Sequence, residues 1–134
     1  MNVTTTARHV ALDPEDRQFA QQRLERVARF LRERERNGIE AHVTVTGEKN
    51  RHVAEILLRV RRHELVSREE GAEPRTAIDL AAEALERQMR RIKDRISERR
   101  KGDRQRASTG FAPPAPAVEE EEYDWLIEGN LAEE

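Results

Sequence analysis

The strongest constraint on the fold is a stripe of apolar side chains that recurs with helical spacing in the second half of the chain. Its members fall within about 100° of the circumference of an α-helix. They are Ile78, Ala81, Ala82, Leu85, Met89, Ile92 and Ile96. Pro74 supplies the preset φ of a first helical position. A helix that is apolar along one side needs a second layer to cover it, so the stripe predicts a layered domain.

A first helix is predicted nearer the N-terminus. Asp13 can cap it, Pro14 opens it, and the pattern indicates a helix that runs to about Arg36. Its apolar residues recur at helical spacing as Ala20, Leu24, Val27 and Leu31. The chain therefore carries two amphipathic helices, one in each half of the predicted domain.

Four strands are predicted around these helices. Residues 2–8 and 39–46 have the composition or alternation of strands, and residues 65–70 are read as a third consecutive strand after a hairpin. Between the last two, the apolar side of a strand is formed by Ala54, Ile56, Leu58 and Val60. The predicted class is α+β in the order β-α-β-β-β-α, with two helices packed on one face of a four-stranded sheet.

Charge divides the chain into a basic body and an acidic tail. The 134 residues have a formal net charge of −2, but residues 1–106 hold all 25 Lys and Arg against 19 Asp and Glu, while residues 107–134 hold 8 acidic and no basic residues. We predict a domain over residues 1–102, a Pro/Ala-rich linker over 103–118 and an acidic tail over 119–134. The tail is predicted to be disordered. Its short apolar patch at 123–127 is too small to fold alone, although it could dock on a partner that the sequence does not identify.

The sequence offers little for catalysis or cofactor binding. There is no Cys, and the four His residues have no companion at metal-ligand spacing. No nucleophile elbow, phosphate-binding loop or membrane-length apolar run is present. We therefore expect a cytoplasmic protein that is not an enzyme and that has no metal, cofactor, small-molecule substrate or membrane partner.

Both helices carry many basic residues. On the first helix Arg23 lies at the margin of the apolar stripe, and the residues away from it are Arg26, Arg29, Arg32 and Arg36. On the second helix Arg87, Arg90 and Arg91 lie opposite the stripe, and positive charge extends around the C-terminal half through Lys93, Arg95, Arg99, Arg100 and Lys101. One interpretation is a solvated surface stitched by intrahelical pairs such as Glu83 with Arg87 and Glu86 with Arg90. The other is a phosphate-binding surface, because the planar guanidinium fork suits phosphate and two such helices side by side would gather positive charge.

Two motifs in the expected order resemble the ribosome hibernation-promoting factor and ribosome-associated inhibitor family. The first is EKNRHVAEI at residues 48–56, and the second joins AIDLA at 77–81 to LERQMRRIKD at 85–94. The resemblance extends to about Lys101. It implies a non-enzymatic domain that occupies the decoding cleft of the small ribosomal subunit and so blocks binding of messenger and transfer RNA.

The resemblance also suggests which residues contact ribosomal RNA. These are the helix residues Arg87, Arg90, Arg91, Lys93 and Arg95, less firmly Arg23 and Arg26, together with Lys49 and Arg51 of the first motif. Two features depart from the family: residues 73–76 read EPRT where an aromatic residue is usual, and the tail is too short and acidic for the second, dimerising domain of long members. A double-stranded-RNA-binding-like module and a protein-interaction adaptor that docks through its tail remain the alternatives.

Overall fold

The computed structural model describes residues 1–109 and 125–126, with side chains described for residues 1–96 and 125–126. The elements in chain order are β1 (Asn2–Arg8), α1 (Pro14–Val27), a 3-10 turn (Ala28–Phe30), α2 (Glu33–Arg36), β2 (Glu40–Glu48), β3 (Arg51–Val60), β4 (His63–Gly71) and α3 (Pro74–Thr109). The predicted α+β class and its β-α-β-β-β-α order are confirmed.

The sheet has the order β1-β2-β3-β4, so chain neighbours are also neighbours in space. β1 pairs with β2 in parallel, because α1 carries the chain back across the sheet, while the β2–β3 and β3–β4 pairs are antiparallel hairpins. The predicted alternation holds. The buried side chains of the two central strands include Ala41, Val43, Val45, Ala54, Ile56, Leu58 and Val60. Their shared face lies under the helices, and the opposite face is open, with Val66 49% exposed.

The start of α1 follows from its sequence. The Asp13 side chain accepts a hydrogen bond from the backbone N–H of Asp16 at 2.7 Å, and the Asp16 side chain accepts one from the backbone N–H of Asp13 at 3.3 Å. Pro14 occupies the first turn. These reciprocal bonds satisfy N–H groups that a helix leaves free at its N-terminus, and they confirm the predicted cap.

The predicted extension of the first helix to Arg36 is wrong. α1 ends at Val27, the 3-10 turn follows, and Leu31 adopts an extended conformation with φ −103° and ψ 146° before α2 begins. The Arg36 guanidinium Nε donates to the carbonyl oxygens of Ala28 and Leu31 at 3.2 and 3.3 Å, which satisfies acceptors exposed by the break. Apolar spacing alone could not reveal this break, since the pattern expects Leu31 to be buried in a continuous helix and it is also buried in the broken one.

α3 lies across β3 and β4, as its apolar stripe requires. Ile78, Ala81, Ala82, Leu85 and Met89 are fully buried, and Ile92 packs at the margin of the core. Two hydrogen bonds fix the helix to β4: Ser67 Oγ donates to the Ala81 carbonyl oxygen, and Gln88 Nε2 donates to that of Val66, both at 2.8 Å. A Cβ at Gly71 would lie 2.8 Å from the Ala77 backbone nitrogen, so this close turn into α3 requires glycine.

The structure adds two observations on the C-terminal part of the chain. α3 continues to Thr109, whereas the helical pattern in the sequence ends after Lys101, and the domain boundary at residue 102 stays a prediction. Trp125 and Leu126 pack against the domain at 0% and 4% exposure, so the predicted disorder does not hold for this pair. Most of the predicted linker, from residue 110 onward, and the acidic run at 119–122 lie outside the described residues.

Candidate nucleic-acid interface

The two long helices lie side by side and run in the same direction. Near their N-terminal ends, Arg75 of α3 bonds Asp16 of α1. Further along, Arg23 of α1 bonds Asp79 and Glu86 of α3. Beyond the end of α1, the Arg90 guanidinium lies 5.2 Å from the centroid of the Phe30 ring. These contacts advance together along both helices, so the basic C-terminal halves of the pair lie at the same end of the domain.

Arg23 connects the two helices from a buried position. Its side chain is 3% exposed, its Nε donates to Asp79 Oδ1 at 2.7 Å, and its Nη2 donates to Glu86 Oε1 at 2.6 Å. Burial acts to lower the pKa of Arg23, but the hydrogen bonds to Glu86 and Asp79 outweigh it and raise the pKa, so the guanidinium stays charged. Nη1 is buried without a hydrogen-bond partner among the described residues. Arg23 therefore presents no exposed group to RNA and holds the helices together.

At the N-terminal end of the helix pair, the charge of Arg75 is neutralised by carboxylates of the other helix. Arg75 Nε donates to Asp16 Oδ1 at 2.8 Å, and its Nη2 lies 3.4 Å from Glu15 Oε2 and 4.0 Å from Asp13 Oδ1. This hydrogen bond from Arg75 holds the pKa of Asp16 below its ordinary value of 3.8. The arginine that departs from the family pattern thus joins the two helix starts rather than adding a free cation.

The C-terminal end has the opposite character. Within residues 1–96 and 125–126, no carboxylate lies within 4.0 Å of five cations, namely Arg26, Arg87, Arg91, Lys93 and Arg95. Arg90 is also exposed, and its only recorded contact in that part of the chain is the ring of Phe30. We call these six residues the arginine surface. The intrahelical pairs Glu83–Arg87 and Glu86–Arg90 do not form in the described part of the chain, and Glu86 pairs with Arg23 instead.

The arginine surface wraps around α3 rather than lying on one flat side. Residues seven apart share a side of a helix, so Lys93 lies on the α1 side with Glu86, and Arg95 lies on the β4 side with Gln88. Arg87 lies on the solvent side between them. The cations of α3 therefore extend around the helix from the side that faces α1 to the side that faces β4, and Arg26 is exposed on α1.

Other basic residues of the first predicted helix serve the fold. Arg36 bonds two carbonyl oxygens at the break after α1, and Arg32 Nε donates to the Leu126 carbonyl oxygen at 3.1 Å. Arg34 lies 3.5 Å from Glu35, and Arg29 is exposed on the 3-10 turn. Two of the predicted surface cations, Arg32 and Arg36, therefore bond backbone carbonyl groups near the helix break.

Lys49 and Arg51 lie at the other end of the domain. Lys49 is in the β2–β3 turn and Arg51 follows it, pairing with Glu48 of β2 at 2.7 Å and with Glu70 of β4 at 2.8 Å. The hydrogen bond to Glu48 is the main cause of the raised pKa of Arg51. This hairpin is beside the start of α3, since His52 Nδ1 lies 3.0 Å from the Ala72 carbonyl oxygen. The structure does not bring these two residues together with the arginine surface.

Sequence reasoning missed one candidate, Arg62. It is exposed in the β3–β4 turn, and in the described part of the chain no carboxylate pairs with it, whereas its neighbour Arg61 pairs with Glu35. The turn lies at the same end as the arginine surface, because His63 contacts Trp125, which is bonded to Arg32 beside the 3-10 turn. The signal in the sequence is a pair of adjacent arginines, Arg61 and Arg62, in a short turn between two strands, which by itself indicates only a connection.

Two kinds of site were not found in the described residues. No three His, Asp or Glu side chains there form a metal-binding group. No helix in that part of the chain has the length and apolar character needed to cross a bilayer.

The fold and surface define a small α+β domain with a basic helix pair, and comparison with known proteins assigns it to a family. A family model described as Sigma 54 modulation protein / S30EA ribosomal protein matches residues 3–97. The chain belongs to this family. The resemblance drawn from the two sequence motifs is thereby confirmed, although no curated protein matches the chain.

Solved structures show the same fold at low sequence identity. The N-terminal domain of Protein Y from Thermus thermophilus matches with a TM-score of 0.59 and 24% identity, covering 69% of this chain and 99% of that domain. A ribosomal subunit interface protein from Coxiella burnetii matches with a TM-score of 0.59 and 19% identity, covering 70% of this chain and 99% of its own.

Proposed function

We propose that this chain is a cytoplasmic, non-enzymatic translation inhibitor of the hibernation-factor type. It binds the small ribosomal subunit through phosphate contacts from the arginine surface. The domain then occupies the decoding cleft, where it blocks messenger and transfer RNA. Support comes from the family, whose description names a ribosomal protein, and from a similar structure that is a ribosomal subunit interface protein.

The observation that carries this proposal is the separation of paired and unpaired cations. Arg75 and Arg23 meet carboxylates of the other helix, so their charge is used within the fold. The arginine surface has no such matches in the described residues. Gathering unpaired like charges costs free energy in the isolated protein, and a polyanion recovers it by releasing its counterions. Recognition by phosphate contacts alone reads the shape of an RNA rather than its sequence.

Family membership favours the ribosome over a double-stranded-RNA-binding module. The adaptor alternative, in which the tail captures another protein, requires Trp125 to be accessible, but Trp125 is fully buried against its own domain. Binding of a partner by the tail would therefore first have to displace this contact.

Cosedimentation with small subunits tests the proposal. The triple variant R87E/R90E/R91E should reduce ribosome affinity by at least about a hundredfold, since each lost phosphate contact weakens binding and each new carboxylate repels the backbone. Its fold should persist, because all three side chains are exposed.

The matched control is R8E/R59E/R68E on the open face of the sheet, which makes the same change of net charge with three exposed residues. It should keep most of the affinity. If the two triple variants lose affinity equally, only net charge matters and the proposed surface is wrong. If R87E/R90E/R91E cosediments with small subunits as the unaltered protein does, the proposed function is wrong.

A further inference from the structure

The Trp125–Leu126 pair occupies a slot beside the arginine surface. The backbone N–H of Arg32 donates to the Trp125 carbonyl oxygen at 2.8 Å, and Leu31 forms an antiparallel bridge with Leu126. The Arg32 side chain holds the Leu126 carbonyl oxygen at 3.1 Å. On the far side, the His63 ring lies 5.5 Å from the ring of Trp125. The slot thus recognises both the backbone and the side chains of an extended segment.

The slot exists because α1 is broken. Leu31 leaves the helical conformation, and its extended backbone provides the edge that Leu126 pairs with. An uninterrupted helix would have used these backbone groups internally and left no edge. Leu31 and Trp125 are both 0% exposed, so the break and the docked segment complete the same part of the core.

The charges around the slot match the sequence of its occupant. Arg32 contacts the segment, and Arg62 is exposed in the turn beside His63. In the sequence, the docked pair directly follows Asp124, is followed two residues later by Glu128, and comes after four consecutive glutamates at 119–122. Opposite charges across such a contact favour docking and set its specificity.

We propose that this slot is a docking site for an acidic, tryptophan-containing segment, filled in the free protein by the chain's own Trp125–Leu126, and that docking competes with RNA. Docking tethers a segment of net charge −8, residues 107–134, at the end of the domain that bears the arginine surface. Leu31 follows Phe30, the ring against which Arg90 lies, so slot and surface share the 3-10 turn. The docked acidic tail and bound RNA then repel each other, so each weakens the binding of the other by the same factor. Only this competition rests on the proposed function.

Tryptophan fluorescence tests the docking site directly, since Trp125 is the single tryptophan of the chain. In the full-length protein, acrylamide should quench Trp125 weakly. Leu126→Asn buries an unpartnered amide in place of an apolar contact, so it should undock the segment and raise quenching several-fold. His63→Ala, on the slot side, should raise quenching as well.

Leu131→Asn is the matched control, because it makes the same substitution in the tail outside the docked pair and should leave quenching unchanged. Circular dichroism checks that every variant keeps the fold. Strong quenching in the unaltered protein, or no difference between Leu126→Asn and Leu131→Asn, overturns the docking site.

Binding to small subunits tests the competition. At low salt Leu126→Asn should bind about fivefold more tightly than the unaltered protein, a modest coupling between sites, and the gap should close as salt screens the tail. Equal affinities at low salt overturn the competition. If none of these proteins binds subunits, the proposed function and the competition both fail, while the quenching result still decides whether the docking site exists.

Discussion

The two ends of the helix pair use the same residue type for opposite purposes. At the N-terminal end and in the middle, Arg75 and Arg23 cross from one helix to the other and meet carboxylates. At the C-terminal end, Arg87 and Arg91 meet none in the described residues. The carboxylates that reach across to the other helix, those of Asp16, Asp79 and Glu86, all lie before the C-terminal part of the helix pair. Their position explains why only the arginines of the N-terminal and middle parts are paired. An arginine becomes a structural or a binding residue according to what faces it.

Breaking the central ion pairs is the first way to test this division and should have the largest effect on stability. Arg23→Met should lower the free energy of unfolding by about 2–4 kcal/mol. The variant removes the cation that Glu86 pairs with at 14% exposure, whereas Asp79, at 48%, can turn to water. Urea denaturation followed by circular dichroism measures the change.

Ribosome binding separates this effect from a loss of surface charge. At a temperature where Arg23→Met is folded, its affinity for small subunits should stay within about twofold of the unaltered protein, because it removes no exposed cation. A stable Arg23→Met that has lost affinity would place Arg23 in the RNA contact instead, as the family resemblance suggested.

Most of the fold could be predicted from the sequence because its signals are local. The strand alternation around Val43 and Ile56, the Asp13 cap and the stripe through Leu85 each depend on neighbours a few residues away. The break after Val27 could not be predicted, since apolar spacing continues to Leu31 and the residue that pairs with its extended backbone, Leu126, lies about 95 positions further along the chain. Local patterns carry no record of such long-range partners.

The site was harder to predict for the same reason. Helical spacing placed Arg87, Arg90 and Arg91 on the exposed side, which the structure agrees with. Spacing also suggested that Glu86 pairs with Arg90, but a buried arginine on another helix, Arg23, is a better partner because the shielding from water strengthens the pair. Which arginines stay unpaired is therefore decided by tertiary structure.

Single substitutions should sharpen the comparison with a smaller effect. Arg87→Ala should weaken binding to small subunits roughly three- to tenfold and reduce the slope of log affinity against log salt by about one, as expected for one phosphate contact. Arg51→Ala, which removes an arginine already paired with Glu48 and Glu70, should change neither quantity. Titrations over a series of salt concentrations measure both, and equal slopes for these two variants would contradict the division into paired and unpaired cations.

The smallest expected effect is a loss of stability in acid at the N-terminal end of the helix pair. The hydrogen bond from Arg75 holds the pKa of Asp16 below its ordinary value of 3.8 in the folded protein. A carboxyl with a lowered folded pKa contributes stability above its unfolded pKa and loses it as the pH falls through the folded value. Asp16→Asn should therefore be less stable than the unaltered protein at neutral pH, and the difference should shrink as the pH falls from about 4. Arg75→Gln removes the cation and keeps Asp16, and its difference in free energy of unfolding from the unaltered protein should shrink over the same pH range.

Denaturation at a series of pH values measures both differences. A difference that stays constant through the acid range would mean that the Arg75 contact does not lower the pKa of Asp16. Neither variant should alter ribosome affinity, because both act at the N-terminal end of the helix pair, away from the arginine surface.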